Sequence, residues 1–404
     1  MENNKSVPKY IDTLDGVRAI AITFVVWFHF WQQSWLTPCI IMPQWVNTYL
    51  GIRQINIEPF VRGGYIFVDL LILLSAVCNF YPYARSIALN EPWPDTKTFY
   101  KKRFMRIVPS YLLAVMIMFI MAVAENKYFN TGLMIKDIVA HLLFIKPFFK
   151  DLMMYSPINA VLWTVQVEML YYILMPWLAL LFKKRPYVMS IGMMLITCIS
   201  VRVFFLFFRD NTFFNNNMFT YAAHYGCGML VCMIYIELCQ KSQNEKSDRF
   251  VKWVPVILII GSIAMLYYML TDMLNSSKYP VVQEPQMVLR FPMVLVFSVL
   301  VLSVMFLGKT GSKIMGNVVF RFISGISYNL YIWHQFIAVK LKEYHIPFWQ
   351  GEQPPNMTGD KVWMWKYQIL IVVLSILVAF VLTYFFEKPV AKGLRKVLIE
   401  KSSN

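Results

Sequence analysis

Runs of roughly 20 apolar residues recur along the chain, separated by shorter polar and basic stretches. At about 1.5 Å of rise per residue, such a run crosses the ~30 Å hydrocarbon layer of a membrane as one helix. Ten runs qualify, at about 14–34, 63–82, 106–124, 160–182, 187–208, 218–238, 253–270, 286–307, 319–339 and 367–387. The pattern predicts an all-α, polytopic bundle of about ten transmembrane helices. Between the third and fourth runs lies a long segment, 125–159, whose apolar stretch at 141–149 is broken by Lys146 and Pro147. That stretch reads as re-entrant or interfacial. The first run holds Asp15, Arg18 and His29 and lacks a small-residue cleavage site. It reads as a retained span and not as a signal peptide.

Charge then orients the bundle. With the N-terminus inside, 23 of the 38 Lys and Arg fall in inner loops and 11 in outer ones. The excess of inner Lys and Arg predicts cytoplasmic N- and C-termini. The basic tail after Glu387 is expected along the anionic inner leaflet. Four arginines, at 18, 202, 209 and 290, lie within or at the ends of spans.

Composition narrows the class. The chain is 58% hydrophobic and 15% charged, against about 25% charged in soluble domains. A soluble enzyme, a disordered chain and a nucleic-acid-binding module are all excluded. The net charge of +16 is accounted for by the inner loops, so no nucleic-acid partner is expected. Six cysteines, with no C-x-x-C pair, suggest neither a disulfide framework nor a zinc site, and no metal is expected. Five of them, all but Cys39, read as buried small apolar residues. No repeat or second domain is visible, so residues 1–404 read as one membrane domain with a short tail, 388–404, and no fused esterase-like domain.

Ionisable groups at membrane depth are costly and mark functional sites by default. Arg18 and His29 are eleven residues apart. That spacing puts them on one helix face, separated by about 16 Å. A cation near the surface and an imidazole deeper on the same line suit a long acidic substrate whose reactive end reaches inward. Asp69, Glu168, His334 and Arg202 fall at comparable depths, which predicts a shared polar cavity. Arg103 and Arg106, spaced i, i+3 ahead of Pro109 and Tyr111, share a face and could grip phosphates. Positive-inside anchoring explains that basic run equally well. A proton-coupled secondary transporter also fits a polar intramembrane layer, but no inverted repeat or pair of broken helices is visible.

Five ordered segments resemble integral-membrane acyltransferase family 3. DGVRAIAITFVVWFHF carries the arginine and histidine of the first helix, Arg18 and His29. FYKKRFMRIVPSYLL carries Arg103, Arg106, Pro109 and Tyr111; LWTVQVEMLYYIL carries Trp163, Thr164 and Glu168; ISYNLYIWHQF carries Ser327, Tyr328, Tyr331 and His334. YFFEKP closes the pattern. One departure is Ala76 after Ser75, where the family has glycine; only minor repacking is expected there.

The resemblance implies a membrane enzyme that moves an acyl group, commonly acetyl, from cytoplasmic acyl-CoA to a hydroxyl, often on an extracytoplasmic glycan. Transfer would be direct or completed by a separate partner. On this reading Arg18, Arg103 and Arg106 hold the CoA phosphates and His29 is the general base. Glu168 orients His29 or the acceptor. Asp69, Trp163, Tyr328, Tyr331 and His334 are candidates for acceptor or oxyanion contacts.

Overall fold

The computed structural model describes residues 7–36, 39–51, 53–208, 216–241, 249–276 and 284–398. Arg209 lies outside them. The chain is helical almost throughout: α1 Thr13–Ser34, α2 Gln44–Leu50, α3 Glu58–Arg62, α4 Phe67–Leu89, α5 Thr96–Ala124, α6 Thr131–Leu142, α7 Lys150–Tyr155, α8 Trp163–Lys184, α9 Pro186–Phe207, α10 Ala222–Lys241, α11 Arg249–Ser276, α12 Glu284–Met305, α13 Gly308–Met315, α14 Val318–Glu343, α15 Pro355–Thr358, α16 Lys361–Val381 and α17 Lys388–Leu398. A two-stranded antiparallel hairpin, β1 Cys39–Ile41 and β2 Gln54–Asn56, follows α1.

Helix is the form that satisfies every backbone polar group inside hydrocarbon. Side chains cap exposed helix starts: Asp95 accepts from the Thr98 amide at 2.7 Å, Asn317 opens α14 and Asp360 opens α16. Prolines 82, 109, 176 and 292 stand inside long helices, as spanning helices tolerate.

Among the described residues, nine helices are long and apolar enough to cross a membrane. The tenth expected span is α14, with 26 residues. Its buried face carries Ser324, Ser327, Asn329 and His334, which lowers its hydropathy. A count of crossings includes it. Arg85, near the end of α4, donates to the carbonyls of Val7 and Pro8 at 2.8 and 3.0 Å. Lys101, near the start of α5, donates to the Leu398 carbonyl. Residues 7–8 and 398 therefore lie at one end of the bundle, which requires an even number of crossings. The bundle is all-α and polytopic, as expected.

Boundaries moved in one place that matters. The third apolar run begins at about 106, but α5 starts at Thr96. Lys101, Lys102, Arg103 and Arg106 are therefore part of a rigid helix and not a loop before it. At the far end, α6, a 3₁₀ turn Lys146–Phe148 and α7 form the 125–159 segment. Asp137, His141 and Lys146 are buried there, and burial lowers the Lys146 amine to about 8.

The most extensive helix contacts are α4 with α10 and α1 with α14. In the first pair, Ala76 meets Gly228: a Cβ added at Gly228 would lie 2.7 Å from that of Ala76. The small residue that allows close approach thus sits on α10, opposite the alanine that replaces the family's glycine. The outer faces of α9, α11 and α16 present Ile191, Leu195, Ile260, Ile369 and Val373 outward, as lipid contact requires. Of the five cysteines read as buried, Cys227 and Cys232 are; Cys78 and Cys239 are half-buried and Cys198 is exposed. Exposure on a lipid-facing helix is as apolar an environment as a core, so hydropathy could not separate the two.

Candidate active site

Helices α1, α4, α5, α8 and α14 enclose a polar cavity. Arg18 enters from α1, Ser75 and Cys78 from α4, and Arg103 and Arg106 from α5. Thr164, Glu168 and Tyr172 enter from α8, and Tyr328 and Tyr331 from α14. Five helices are needed because each contributes one narrow polar stripe. A second space, of about 220 Å³, shares Arg18, Cys78, Arg103 and Arg106 as wall and adds Lys9, Tyr10 and Asp15. It opens toward the end of the bundle where residues 7–8 lie.

The mouth is strongly cationic. Among the described residues, no carboxylate lies within ion-pair distance of Arg18, Arg103 or Arg106. Arg18 Nη2 reaches only the Cys78 sulfur, at 3.4 Å. The Arg103 guanidinium stands 5.5 Å from the ring centres of both Phe99 and Tyr172, which holds it by cation–π contact. Glu168 is the one carboxylate lining the cavity. The Ser75 and Tyr172 hydroxyls surround it, with Arg106 and Arg18 beyond. Ser75 Oγ and Tyr172 OH are 3.2 Å apart, and Asn79 Nδ2 donates to Ser75 Oγ at 3.1 Å.

The two central histidines meet. His334 Nε2 and His29 Nδ1 are 3.0 Å apart, with ring centres at 4.9 Å. Each Nδ1 also faces the carbonyl four residues back, Val25 and Leu330, at 3.0 Å. A carbonyl can only accept, so each Nδ1 carries the proton. His334 Nε2 is then the acceptor for the His29 N–H. His29 Nε2 is left with its lone pair, which is the state a general base needs. Tyr331 links the pair to the cavity: it lines the cavity and its ring centre is 5.8 Å from that of His334.

These contacts revise several expected roles. The neighbour that orients His29 is His334 and not Glu168, which belongs to the mouth of the cavity. Tyr328 OH donates to the Ile107 carbonyl at 2.9 Å, and Tyr331 OH to the Val161 carbonyl at 3.2 Å. His334 Nδ1–H is engaged with Leu330. None of the three is thus an unengaged donor for an oxyanion. The Tyr172 and Ser75 hydroxyls also line the cavity, engaged with one another and with Glu168. Tyr172 was legible, being four residues after Glu168 on the same face.

Asp69 and Trp163 belong to a different group. Asp69 Oδ1 accepts from Tyr221 OH at 3.2 Å; Asp69 Oδ2 is 3.5 Å from His224 Nε2 and 3.9 Å from Arg290 Nε. Arg290 Nη2 donates to Asn216 and Tyr221 at 3.1 and 3.0 Å, and Trp163 stacks on Tyr221 at 5.6 Å. Asp69, His224 and Arg290 are fully buried and line none of the cavity. The group ties α4, α10 and α12 together, away from the cavity where an acceptor contact is expected of Asp69. His224 was not foreseen, and Arg202 is exposed on α9, outside any shared layer. Removing one member leaves an uncompensated buried charge, at a cost of about 3–5 kcal/mol. Arg290→Leu should therefore lower the thermal midpoint of the detergent-solubilised protein sharply. Adding Asp69→Asn should restore part of the loss.

The acyltransferase family profile, described as "Acyltransferase domain", matches residues 11–384. The chain belongs to this acyltransferase family 3. Peptidoglycan O-acetyltransferase OatA of Listeria monocytogenes is 20% identical over 95% of this chain and 56% of its own length. O-acetyltransferase OatA of Staphylococcus aureus is 22% identical over 95% of this chain and 58% of its own. ORF330 of Acidianus two-tailed virus is 22% identical over 80% of this chain and 82% of its own. The chain thus spans little more than half the length of the OatA relatives. No solved structure gives a significant match.

Proposed function

We propose that this chain is an O-acetyltransferase of the cell membrane that takes acetyl from acetyl-CoA and passes it to a hydroxyl of a cell-surface glycan. The carrying observation is a cluster of three guanidiniums without carboxylate partners, Arg18 of α1 beside Arg103 and Arg106 of α5, with a tethered imidazole about 16 Å from Arg18 along α1. A donor with a phosphate-rich head and a long thin reactive arm fits that spacing. The basic loop excess supports a cytoplasmic position for the cationic mouth, the side where acyl-CoA is found. The names of the relatives, O-acetyltransferases of which the Listeria protein is a peptidoglycan O-acetyltransferase, support acetyl and an envelope glycan.

In the reaction, Arg18, Arg103 and Arg106 clamp the phosphates. His29 Nε2 takes the proton of the acceptor hydroxyl as that oxygen attacks the thioester carbon. The C–O bond forms, the C–S bond breaks, and the proton returns to the departing thiolate. Ser75 and Tyr172 hold Glu168 beside the mouth, where its charge offsets the mutual repulsion of the guanidiniums.

The test is acetyl-CoA binding, and slow CoA release, by folded protein in detergent. Saturable binding that weakens with salt is expected. Absence of binding to any acyl-CoA would overturn the proposal and leave a proton-coupled carrier as the reading of the polar layer.

A further inference from the structure

On the far side of the histidine pair lies a third cavity, of about 250 Å³, that the donor reaction does not use. Its wall comes from α5, α14 and the segment 156–160. Three features bear on its occupant.

The first is its position. Gln335, next to His334 on α14, lines the inner end of the cleft, and Glu343 lines its rim. Eight residues of helix separate them, about 12 Å. The cleft therefore starts at the level of the histidine pair and opens at the end opposite the arginines. The septum is thin: Ala160 lines the cleft, Thr164 lines the cationic cavity, and the Val161 carbonyl between them holds Tyr331.

The second is an unused acceptor. Gln335 Oε1 is buried without a hydrogen-bond partner. Leaving such an atom unmatched is costly, and a ligand hydroxyl would satisfy it. Asn159 and Ser156 also line the cleft, Asn159 Nδ2 donating to the Ile332 carbonyl at 3.0 Å and Ser156 Oγ to Asp137 at 2.8 Å, and Phe336 adds an aromatic surface.

The third is charge. Lys127 pairs with Glu343 at 2.8 Å and Glu125 at 3.3 Å, and Lys340 pairs with Glu343 at 2.9 Å and with Glu125. Two cations and two anions are interlaced with none left over. Lys340 and Tyr344 hold the Glu125 carboxyl down to about 2, so the rim stays ionised and balanced at any physiological pH. The contrast with the opposite mouth, with its three guanidiniums, is complete.

We infer that this cleft is the acceptor site, and that it takes a neutral, hydroxyl-bearing carbohydrate. This rests on the acyltransferase reading above. The unmatched Gln335 Oε1 accepts from a sugar hydroxyl, the aromatic face packs on a pyranose ring, and the balanced rim gives no advantage to a phosphate or uronate.

The test supplies radiolabelled acetyl-CoA to the full chain in nanodiscs, with the host cell's envelope polysaccharide split by anion exchange into neutral and anionic fractions. Label should enter the neutral fraction. Gln335→Leu should raise the Michaelis constant for that fraction about tenfold, the worth of one buried hydrogen bond, with that for acetyl-CoA unchanged. Because a core substitution can misfold, Val339→Cys on the cleft wall is a second probe. Its alkylation after folding, by a membrane-impermeant maleimide, should block transfer and leave acetyl-CoA binding intact. Label in the anionic fraction, label in neither, or transfer that survives alkylation would overturn the inference. Loss of acetyl-CoA binding by the unaltered protein would instead refute the acyltransferase reading itself.

Discussion

His29→Ala is expected to lower turnover by about two to four orders of magnitude, the usual contribution of a positioned general base. Its effect on acetyl-CoA binding should be small, because the imidazole acts about 16 Å from the phosphate-holding end. The proton arrangement makes the expectation specific. His29 presents Nε2 as a lone pair because its Nδ1–H is held by the Val25 carbonyl and by His334 Nε2. His334→Gln keeps a polar group near that N–H, and the Val25 carbonyl still fixes the tautomer. It should cost less than His29→Ala, about tenfold for one neutral hydrogen bond. The pH profile separates the two roles. Loss of the base removes the acidic limb of the rate profile, whereas loss of its partner only displaces it. The measurement is single-turnover acetyl transfer in protein shown to be folded. A His29→Ala variant with undiminished transfer would remove the imidazole from the chemistry.

Replacing the arginines at the mouth should act on binding instead. Each charge-assisted hydrogen bond to phosphate is worth about 1.5–3 kcal/mol, roughly ten- to hundredfold in affinity. Arg103→Ala and Arg106→Ala should therefore raise the Michaelis constant for acetyl-CoA by about that factor each, with turnover nearly constant. Arg→Lys keeps the charge but not the planar fork, so it should recover only part of the loss. Arg103 carries a further signature, because its guanidinium lies against the rings of Phe99 and Tyr172. Phe99→Leu removes one cation–π partner and should raise the constant modestly with no change in charge. Rising salt should weaken wild-type binding more than that of the arginine variants. An equal fall in turnover and affinity across the series would show that these residues shape the fold and do not hold the donor.

The sequence by itself determined the class of molecule, the ten spans and the rows of polar groups at membrane depth. The reason is local: an apolar run of given length needs a bilayer, and a charge within it signals its own cost wherever the helix packs. The Arg18–His29 line was equally legible, since helix geometry alone sets it. Tertiary structure decided what each polar group touches. His29 and His334 are 305 positions apart, and no periodicity states that α1 and α14 are neighbours. Asp69 and Glu168 looked alike from their depth. Only packing put Glu168 in the cavity and sent Asp69 to Arg290 and His224. Between helices in lipid, apolar surface gives no preference for one partner over another. The choice falls to close contacts such as Ala76 against Gly228, and to hydrogen bonds that exist only once the helices have met.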